Sequence, residues 1–350
     1  MRVLLKNDMK QHLLLDALHI TMGGGKVLLE YLVASLLEKD ILFTLIKDKR
    51  CGQLENEGRI NNVVVMSPSI HARQSFYNAH KEDYTSVFCF ANIPAPIKMP
   101  CPVFTYVHNV NLLAIPKEFP LKRKVMNWLK QRYIAILSKN TQCWIVQTQN
   151  TENSLRGSLP VGGKRVLQLP FFYIPSELKK QASNNETRNG YIIVGDYTGT
   201  RGHDELLEAL NILKSRGFTP MVHMTVSADI PFAQTICDAV SNGISIVNHN
   251  ILPFEELAKI YGHCKATVYP SVNESLGLGI IEAVEAGCDV VAPDLPFVHS
   301  ICRPSEVFKG RTPEAIAEAV MRYEKGTSPK SELIVKDCIK ELIETITDKE

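Results

Sequence analysis

The stretch Val268–Val291, VYPSVNESLGLGIIEAVEAGCDVV, decides how this chain is read. It predicts a short strand, a loop carrying Glu274, a turn punctuated by Gly277 and Gly279, a helix carrying Glu282, and a second buried strand. Two carboxylates therefore bracket a helix N-terminus. Such a terminus offers backbone N–H groups and a partial positive charge, which suit a phosphate or pyrophosphate. The glycines let a ligand approach the backbone closely, and the carboxylates can accept hydrogen bonds from sugar hydroxyls. A nucleotide-sugar carries both kinds of group, so the pattern implies sugar transfer.

Most helical glutamates are only solvated surface residues. The order strand, Glu274, glycine turn, Glu282, strand sets this pair apart. The segment resembles the E-x7-E signature of the retaining glycosyltransferases of family 4, which have the two-domain GT-B fold. The resemblance runs upstream through Ile244-Ser245-Ile246-Val247, then Leu252-Pro253-Phe254-Glu255-Glu256-Leu257, Tyr261, and Ala266-Thr267-Val268-Tyr269-Pro270-Ser271. It covers the second half of the chain well and the first half loosely.

Length and composition fit an enzyme of this size. At 350 residues the chain is long enough for two domains, each with its own core. Hydrophobic residues make up 45% and charged residues 22%, with a formal net charge of +2, so no global bias toward nucleic acid exists. Nine cysteines form no C-x-x-C pair, and several sit inside apolar runs. This argues for a reducing compartment and against a disulfide frame or a zinc site. The start, MRVLLKNDMKQ, is too interrupted by charge for a signal peptide. No apolar run approaches the roughly 20 residues needed to span a bilayer. A cytoplasmic protein is expected, resting at most on the cytoplasmic face of a membrane.

Short apolar runs alternate with amphipathic stretches, the pattern of parallel sheets covered by helices. The fold class expected is α/β, with two Rossmann-like parallel-sheet domains facing across a cleft (GT-B). Residues 1–175 are assigned to an acceptor-side domain, 176–190 to a polar linker, and 191–330 to a donor-binding domain. Residues 331–350 hold a last helix, expected near Glu332–Ile346, which the resemblance allows to pack back on the first half. The first strand is expected at Arg2–Leu5. Ligands of open parallel sheets bind at the carboxyl ends of strands, and Glu274 and Glu282 both follow the strand ending at Tyr269.

Other pieces of a site lie outside that stretch. Gly23, Gly24 and Gly25 precede an amphipathic helix expected from Lys26 to Glu38, without the G-x-G-x-x-G fingerprint. The resemblance makes them residues of a cleft loop. His108, in YVHNVN, follows a strand and is similar to a histidine that the family presents near the donor sugar. It would hydrogen-bond a sugar hydroxyl, with Asn109 beside it.

In Val194-Gly195-Asp196-Tyr197-Thr198-Gly199-Thr200-Arg201, the resemblance implies two basic residues for the pyrophosphate. Arg201 fills the second place. Asp196 fills the first, a departure that calls for another cation, with Lys26 and Arg303 as candidates, or for a carboxylate that points away. No D-x-D motif occurs, so a mechanism without metal or other cofactor is expected, with positive charge stabilising the departing diphosphate. Glu282 would accept bonds from the ribose hydroxyls. Glu274 would hold the transferred sugar beside Ser275, Leu276 and Gly277. Glu274, His108 and Arg201 are the expected catalytic set, with Gly195 among the donor-binding residues.

Residues 116–140 form the most basic part of the chain. Lys117, Lys122, Arg123, Lys124, Lys130, Arg132 and Lys139 face the single acid Glu118. Val125, Trp128, Leu129, Ile136 and Leu137 supply an apolar stripe at roughly helical spacing. The stretch reads either as an ordinary helix with a solvated basic face or as a dock for anionic lipid. Nucleic acid is disfavoured because no aromatic platform accompanies the charge.

The function expected is retaining transfer of a sugar from a UDP or GDP donor to a glycan acceptor, lipid-linked, in bacterial surface polysaccharide synthesis. The alternatives are a non-catalytic glycosyltransferase-like scaffold, which Asp196 would favour, and a nucleotide-sugar epimerase.

Overall fold

A computed structural model describes residues 11–117, 119–183 and 187–348. The strand expected at Arg2–Leu5, Glu118 of the basic stretch, and residues 184–186 of the expected linker lie outside them. The chain divides into two compact units. The first comprises residues through Ile115, Pro120–Tyr173, and residues from Lys336 onward; the second comprises Ile174–Val335 and a short piece ending at Phe119.

The first unit is built on seven strands: β1 (Leu13–Ala17), β2 (Phe43–Asp48), β3 (Asn62–Met66), β4 (Ser86–Cys89), β5 (Val103–Val107), β6 (Cys143–Val146) and β7 (Arg165–Gln168). Their spatial order is β3-β2-β1-β4-β5-β6-β7, and every pairing is parallel. The helices α1 (Gly23–Glu38), α2 (Ile70–His80), α3 (Leu121–Leu137) and α4 (Gln149–Ser158) connect them. All five residues of β1, LLLDA, are buried. A strand covered on both faces is a continuous apolar run without alternation.

Asp16, at the end of that run, is sealed inside the unit at 1% exposure. Arg73 Nε of α2 donates to its Oδ2 at 2.7 Å, and Tyr77 Oη donates to the same oxygen at 2.7 Å. The remaining guanidinium hydrogens go to the carbonyls of Ile93 and Pro94. The buried charge is thus paired and hydrogen-bonded on several sides, as burial of an ion requires.

The second unit holds β8 (Tyr191–Ile193), β9 (Val222–Met224), β10 (Ile246–Asn248), β11 (Ala266–Val268), β12 (Asp289–Pro293), β13 (Cys302–Arg303), β14 (Glu306–Phe308) and β15 (Glu332–Leu333). Six of them make a parallel sheet in the order β10-β9-β8-β11-β12-β14. β13 and β15 form a separate antiparallel ribbon. The helices are α5 (Ser176–Ala182), α6 (His203–Ser215), α7 (Phe232–Ser241), α8 (Phe254–His263), α9 (Leu278–Glu285), α10 (Pro296–Ile301) and α11 (Pro313–Tyr323). Side chains alternate along β8: Tyr191 and Ile193 join the core under α6 and α11, while Ile192 faces the core of α5, α8 and α9.

Both sheets reverse strand order beside their first strand, at β1/β4 and at β8/β11. Ligands of such sheets lie outside the carboxyl ends at the reversal. The loop carrying Gly195 follows β8 and the loop carrying Glu274 follows β11, so both flank the reversal of the second unit.

Three local expectations are corrected. Residues 176–182 of the expected polar linker form α5, whose Leu178 is fully buried. Arg188 ties this stretch down by donating to the carbonyls of Gln181, Ala286, Tyr261 and Cys264. The last helix is α12 (Ile339–Thr347), not Glu332–Ile346. Ser331 is held by Val290 and Ser305, so Glu332 and Leu333 stay extended, and the helix begins only where Asp337 Oδ1 accepts from Ile339 N. Finally, Gly23–Gly25 are the first turn of α1 rather than a loop before it. α12 packs against α1 and β4 in the first unit.

Candidate active site

Within the second unit, the turn before α9 builds the densest polar arrangement. Gly277 is the residue before the helix, with φ +61, and no side chain caps the terminus. A Cβ there would lie 2.9 Å from Ile301 Cδ1, which could shift, so it is the left-handed backbone that favours glycine at this turn. Ser275 and Leu276 are buried beneath it.

Glu274 and Glu282 are each held by a buried tyrosine. Tyr269 Oη donates to Glu274 Oε1 at 3.1 Å, and Ser271 Oγ reaches the same oxygen at 2.9 Å. Tyr261 Oη donates to Glu282 Oε2 at 3.1 Å. Burial pushes the Glu282 carboxyl up to about 7, against the hydrogen bond from Tyr261 and the charge of Arg201, which both lower it. Glu282 is therefore poised between its two protonation states near neutrality.

Arg201 lies against the backbone of Gly195. Its Nη1 donates to Val194 O at 3.1 Å. Gly195 has φ +112, and a Cβ on it would fall 2.1 Å from Arg201 Nη1, so the guanidinium occupies the space a side chain would take. Burial works against its charge, but Tyr269, Glu274 and Asp196 nearby outweigh that and raise its pKa. Arg201, Tyr269 and Ser271 together line a small recess of about 10 Å³. His203, fully buried between Tyr197 and Phe232, is pushed down to about 4 by burial and by Arg201, so it is neutral.

Asp196 is exposed, and its Oδ1 accepts from the backbone N–H of Tyr197 (3.0 Å) and of Ser227 (3.2 Å). Its carboxylate is engaged in joining the loop after β8 to the loop after β9. The two cations considered as compensation are engaged elsewhere. Lys26 pairs with Glu30 in the first unit, and Arg303 pairs with Glu332 on the β13–β15 ribbon.

The cation that the fold does bring to the Arg201 loop is Arg311, which sequence reasoning missed. Its Nη1 donates to Thr200 O at 3.2 Å and Gly199 O at 3.5 Å, and its Nη2 pairs with Glu205 at 2.6 Å. Thr200 O also accepts from Val272 N at 3.1 Å, which couples the Arg201 loop to the Glu274 loop. A lone arginine before the Thr312-Pro313 helix start carries no sequence signal for this role.

In the first unit, His108 and Gly25 come together: a Cβ on Gly25 would lie 3.6 Å from His108 Nε2. Gly23 and Gly24 are exposed beside them in the first turn of α1. Asn92, also missed in sequence, sits in the left-handed region at φ +67. Its Oδ1 accepts from the backbone N–H of His108 and Asn109, and its Nδ2 donates to His108 Nε2 at 3.4 Å. The ring packs on Phe90 and Tyr106. Burial pushes His108 down to about 4, so at neutral pH it is an uncharged imidazole.

The two α/β units with reversed-order parallel sheets have the GT-B fold, and the second carries two carboxylates around the α9 terminus. Residues 176–337, within the second unit and the segment that follows it, match the family described as "Glycosyl transferases group 1". A curated relative, the serotype-specific mannosyltransferase WbdA of Escherichia coli, is 22% identical over 237 residues, covering 63% of this chain and 29% of the relative. The chain thus spans under a third of that protein's length.

Among solved structures, HepE of Anabaena in complex with UDP and glucose aligns with a TM-score of 0.61 at 14% identity, over 97% of this chain and 96% of its own. WaaG, a glycosyltransferase involved in lipopolysaccharide biosynthesis, aligns with a TM-score of 0.65 at 14% identity, over 96% of this chain and 100% of its own. At these identities the likeness establishes the fold.

Proposed function

We propose that this chain transfers a sugar, with retention and without a metal, from a UDP- or GDP-type nucleotide-sugar to a lipid-linked glycan acceptor at the cytoplasmic face of a membrane. The product would be a bacterial surface polysaccharide. One arrangement carries the reading: two tyrosine-held carboxylates flank the Gly277 terminus, with the charged Arg201 beside Glu274. The likeness to a serotype-specific mannosyltransferase and to a lipopolysaccharide enzyme supports the acceptor class.

In this reading Glu282 accepts hydrogen bonds from the ribose hydroxyls, and Glu274 accepts them from hydroxyls of the transferred sugar. The backbone from Ser275 to Gly277, the α9 terminus and Arg201 receive the pyrophosphate. As the anomeric C–O bond breaks, negative charge grows on the leaving diphosphate, where these groups would stabilise it. The acceptor hydroxyl attacks from the same face and passes its proton to the departing phosphate oxygen. No side-chain nucleophile is required. His108, neutral, hydrogen-bonds a sugar hydroxyl, and Gly23–Gly25 leave room for the reacting groups.

The test is donor binding by calorimetry across UDP- and GDP-sugars, with release of nucleoside diphosphate measured with and without a lipid-linked acceptor. Glu282→Ala removes a charge-assisted bond and should weaken donor binding about 10- to 150-fold. Unchanged affinity in that variant would remove Glu282 from the donor site, and absence of any donor binding would remove the reading.

A further inference from the structure

α3 is turned inside out. Its buried side includes Asn127, whose Nδ2 donates to Asn111 O, and the half-buried Gln131, whose Nε2 donates to Leu113 O at 2.8 Å. Its outer side presents Leu121 (77% exposed), Val125 (49%), Met126 (49%), Trp128 (52%), Leu129 (51%) and Ile136 (65%). Positions 121, 125, 128, 129 and 136 share one helical face. The stripe anticipated from sequence included Leu137, but that residue is buried beside Ile134, and Leu121 and Met126 take its place outside. Apolar side chains are normally the ones a soluble helix hides, so a face this apolar and this open marks an interaction surface.

The charges on the same helix say what covers it. Lys122 and Lys124 flank the stripe and Arg132 interrupts it, Arg123 and Lys130 lie on the other side of the helix, and α3 contains no acidic residue. Lys117 and Lys139 add two exposed positive charges beyond its ends. A hydrophobic protein partner would have to bury or match this field. A bilayer with anionic headgroups accepts both parts at once, taking the apolar face into the acyl boundary while the basic side chains snorkel to phosphates. A second copy of the chain brings the same positive charges and is repelled.

The topology places the contact usefully. β5 ends at Val107, and α3 runs from Leu121 back to the start of β6 at Cys143. The Leu121 end of α3 therefore lies at the carboxyl edge of the first sheet, the edge that carries His108 and Gly25. We infer that α3 is a membrane-surface helix that lies in an anionic leaflet and presents this edge to substrates held there. Its purpose rests on the lipid-linked acceptor proposed above, but its test does not.

The full chain is mixed with phosphatidylglycerol/phosphatidylcholine vesicles or with pure phosphatidylcholine vesicles, without donor or acceptor, and sedimented. Trp128 is exposed and Trp144 is fully buried, so a blue shift of tryptophan emission reports α3 entering the interface. Co-sedimentation with the anionic vesicles and a blue shift are expected. Lys122→Glu/Arg132→Glu should weaken binding about 25-fold, since each basic residue near such a surface contributes about fivefold. Trp128→Ser/Leu129→Ser should weaken it about tenfold or more.

All these side chains are exposed, so the variants should keep wild-type melting temperature and donor binding. Failure to bind anionic vesicles, equal binding to neutral ones, or binding unaffected by both sets of substitutions would overturn the proposal. So would a concentration-dependent dimer abolished by Trp128→Ser/Leu129→Ser. None of these results would touch the donor-site assignment, which stands or falls on nucleotide-sugar binding.

Discussion

Tyr261 donates its phenolic hydrogen to the carboxylate of Glu282 across 3.1 Å, and the tyrosine itself is fully buried. This bond is what restrains the carboxyl from rising further in a site where burial already brings it to about 7. In Tyr261→Phe the proton is held more tightly. The half-point of the pH profile for donor binding should move up by about one to two pH units. Affinity at neutral pH should fall accordingly and recover in base. Isothermal titration at several pH values measures the displacement, and a profile that stays put would disconnect the tyrosine from donor binding.

Glu282 also imposes a sign on stability. Its folded pKa, about 7, lies above the ordinary carboxylate value of 4.5, so between those pH values the folded chain holds a proton that the unfolded chain releases. Its contribution is fully present below about 4.5 and is lost as pH rises through about 7, at a total of roughly 3 kcal/mol at most. Glu282→Gln should flatten the fall in urea-unfolding free energy over that window. An identical pH slope in the variant would place the carboxyl's titration elsewhere.

Arg311 holds the carbonyl of Thr200, next to Arg201, and pairs with Glu205. Removing it loosens the turn on which Arg201 is presented without taking away a group that touches the donor. Arg311→Gln is expected to raise KM for the nucleotide-sugar about tenfold, the loss of one charge-assisted bond, while kcat changes little. Arg311→Lys should recover part of that loss. Steady-state kinetics with varied donor separates the two parameters; a drop confined to kcat would contradict a positioning role.

The Asp16–Arg73 pair predicts a stability cost of a different kind. Both side chains are at or below 5% exposure. Arg73→Ala leaves a carboxylate buried with only the Tyr77 hydroxyl and nearby backbone groups, and should cost about 3–5 kcal/mol. Asp16→Ala/Arg73→Ala together should cost less than the sum of the two single changes. Urea denaturation of the three variants tests this, and strict additivity would show that the pair is not coupled.

How much of this was legible beforehand depends on sequence distance. Glu274, Gly277 and Glu282 lie within one strand–turn–helix, so spacing alone places them around a helix terminus. Arg311 reaches Gly199 and Thr200 only through the order of strands in the sheet, and nothing local announces it. Asn92 is similar: it serves His108 from the neighbouring strand's loop, in a left-handed conformation that a lone asparagine does not advertise. The buried strand β1 and the stretch Arg2–Leu5 are both short runs rich in leucine, and a strand hidden on both faces has no alternation to choose between them. α3 was legible only as two alternatives, a solvated basic face or a lipid dock. Helical spacing of apolar residues conventionally marks the inward face, but here Asn127 and Gln131 find carbonyl partners inside and leave Trp128 and Leu129 out.

α12 closes the chain inside the first unit, burying Ile339, Leu342, Ile343 and Ile346 there. The second unit is consequently an insert, entered after Tyr173 and left before Lys336, rather than a C-terminal appendage. Truncating the chain after the last strand of that insert would strip a helix from its neighbour's core. Grafting a relative's 174–335 equivalent as a cassette, with the tail retained, would exchange the second unit and leave the core of the first whole.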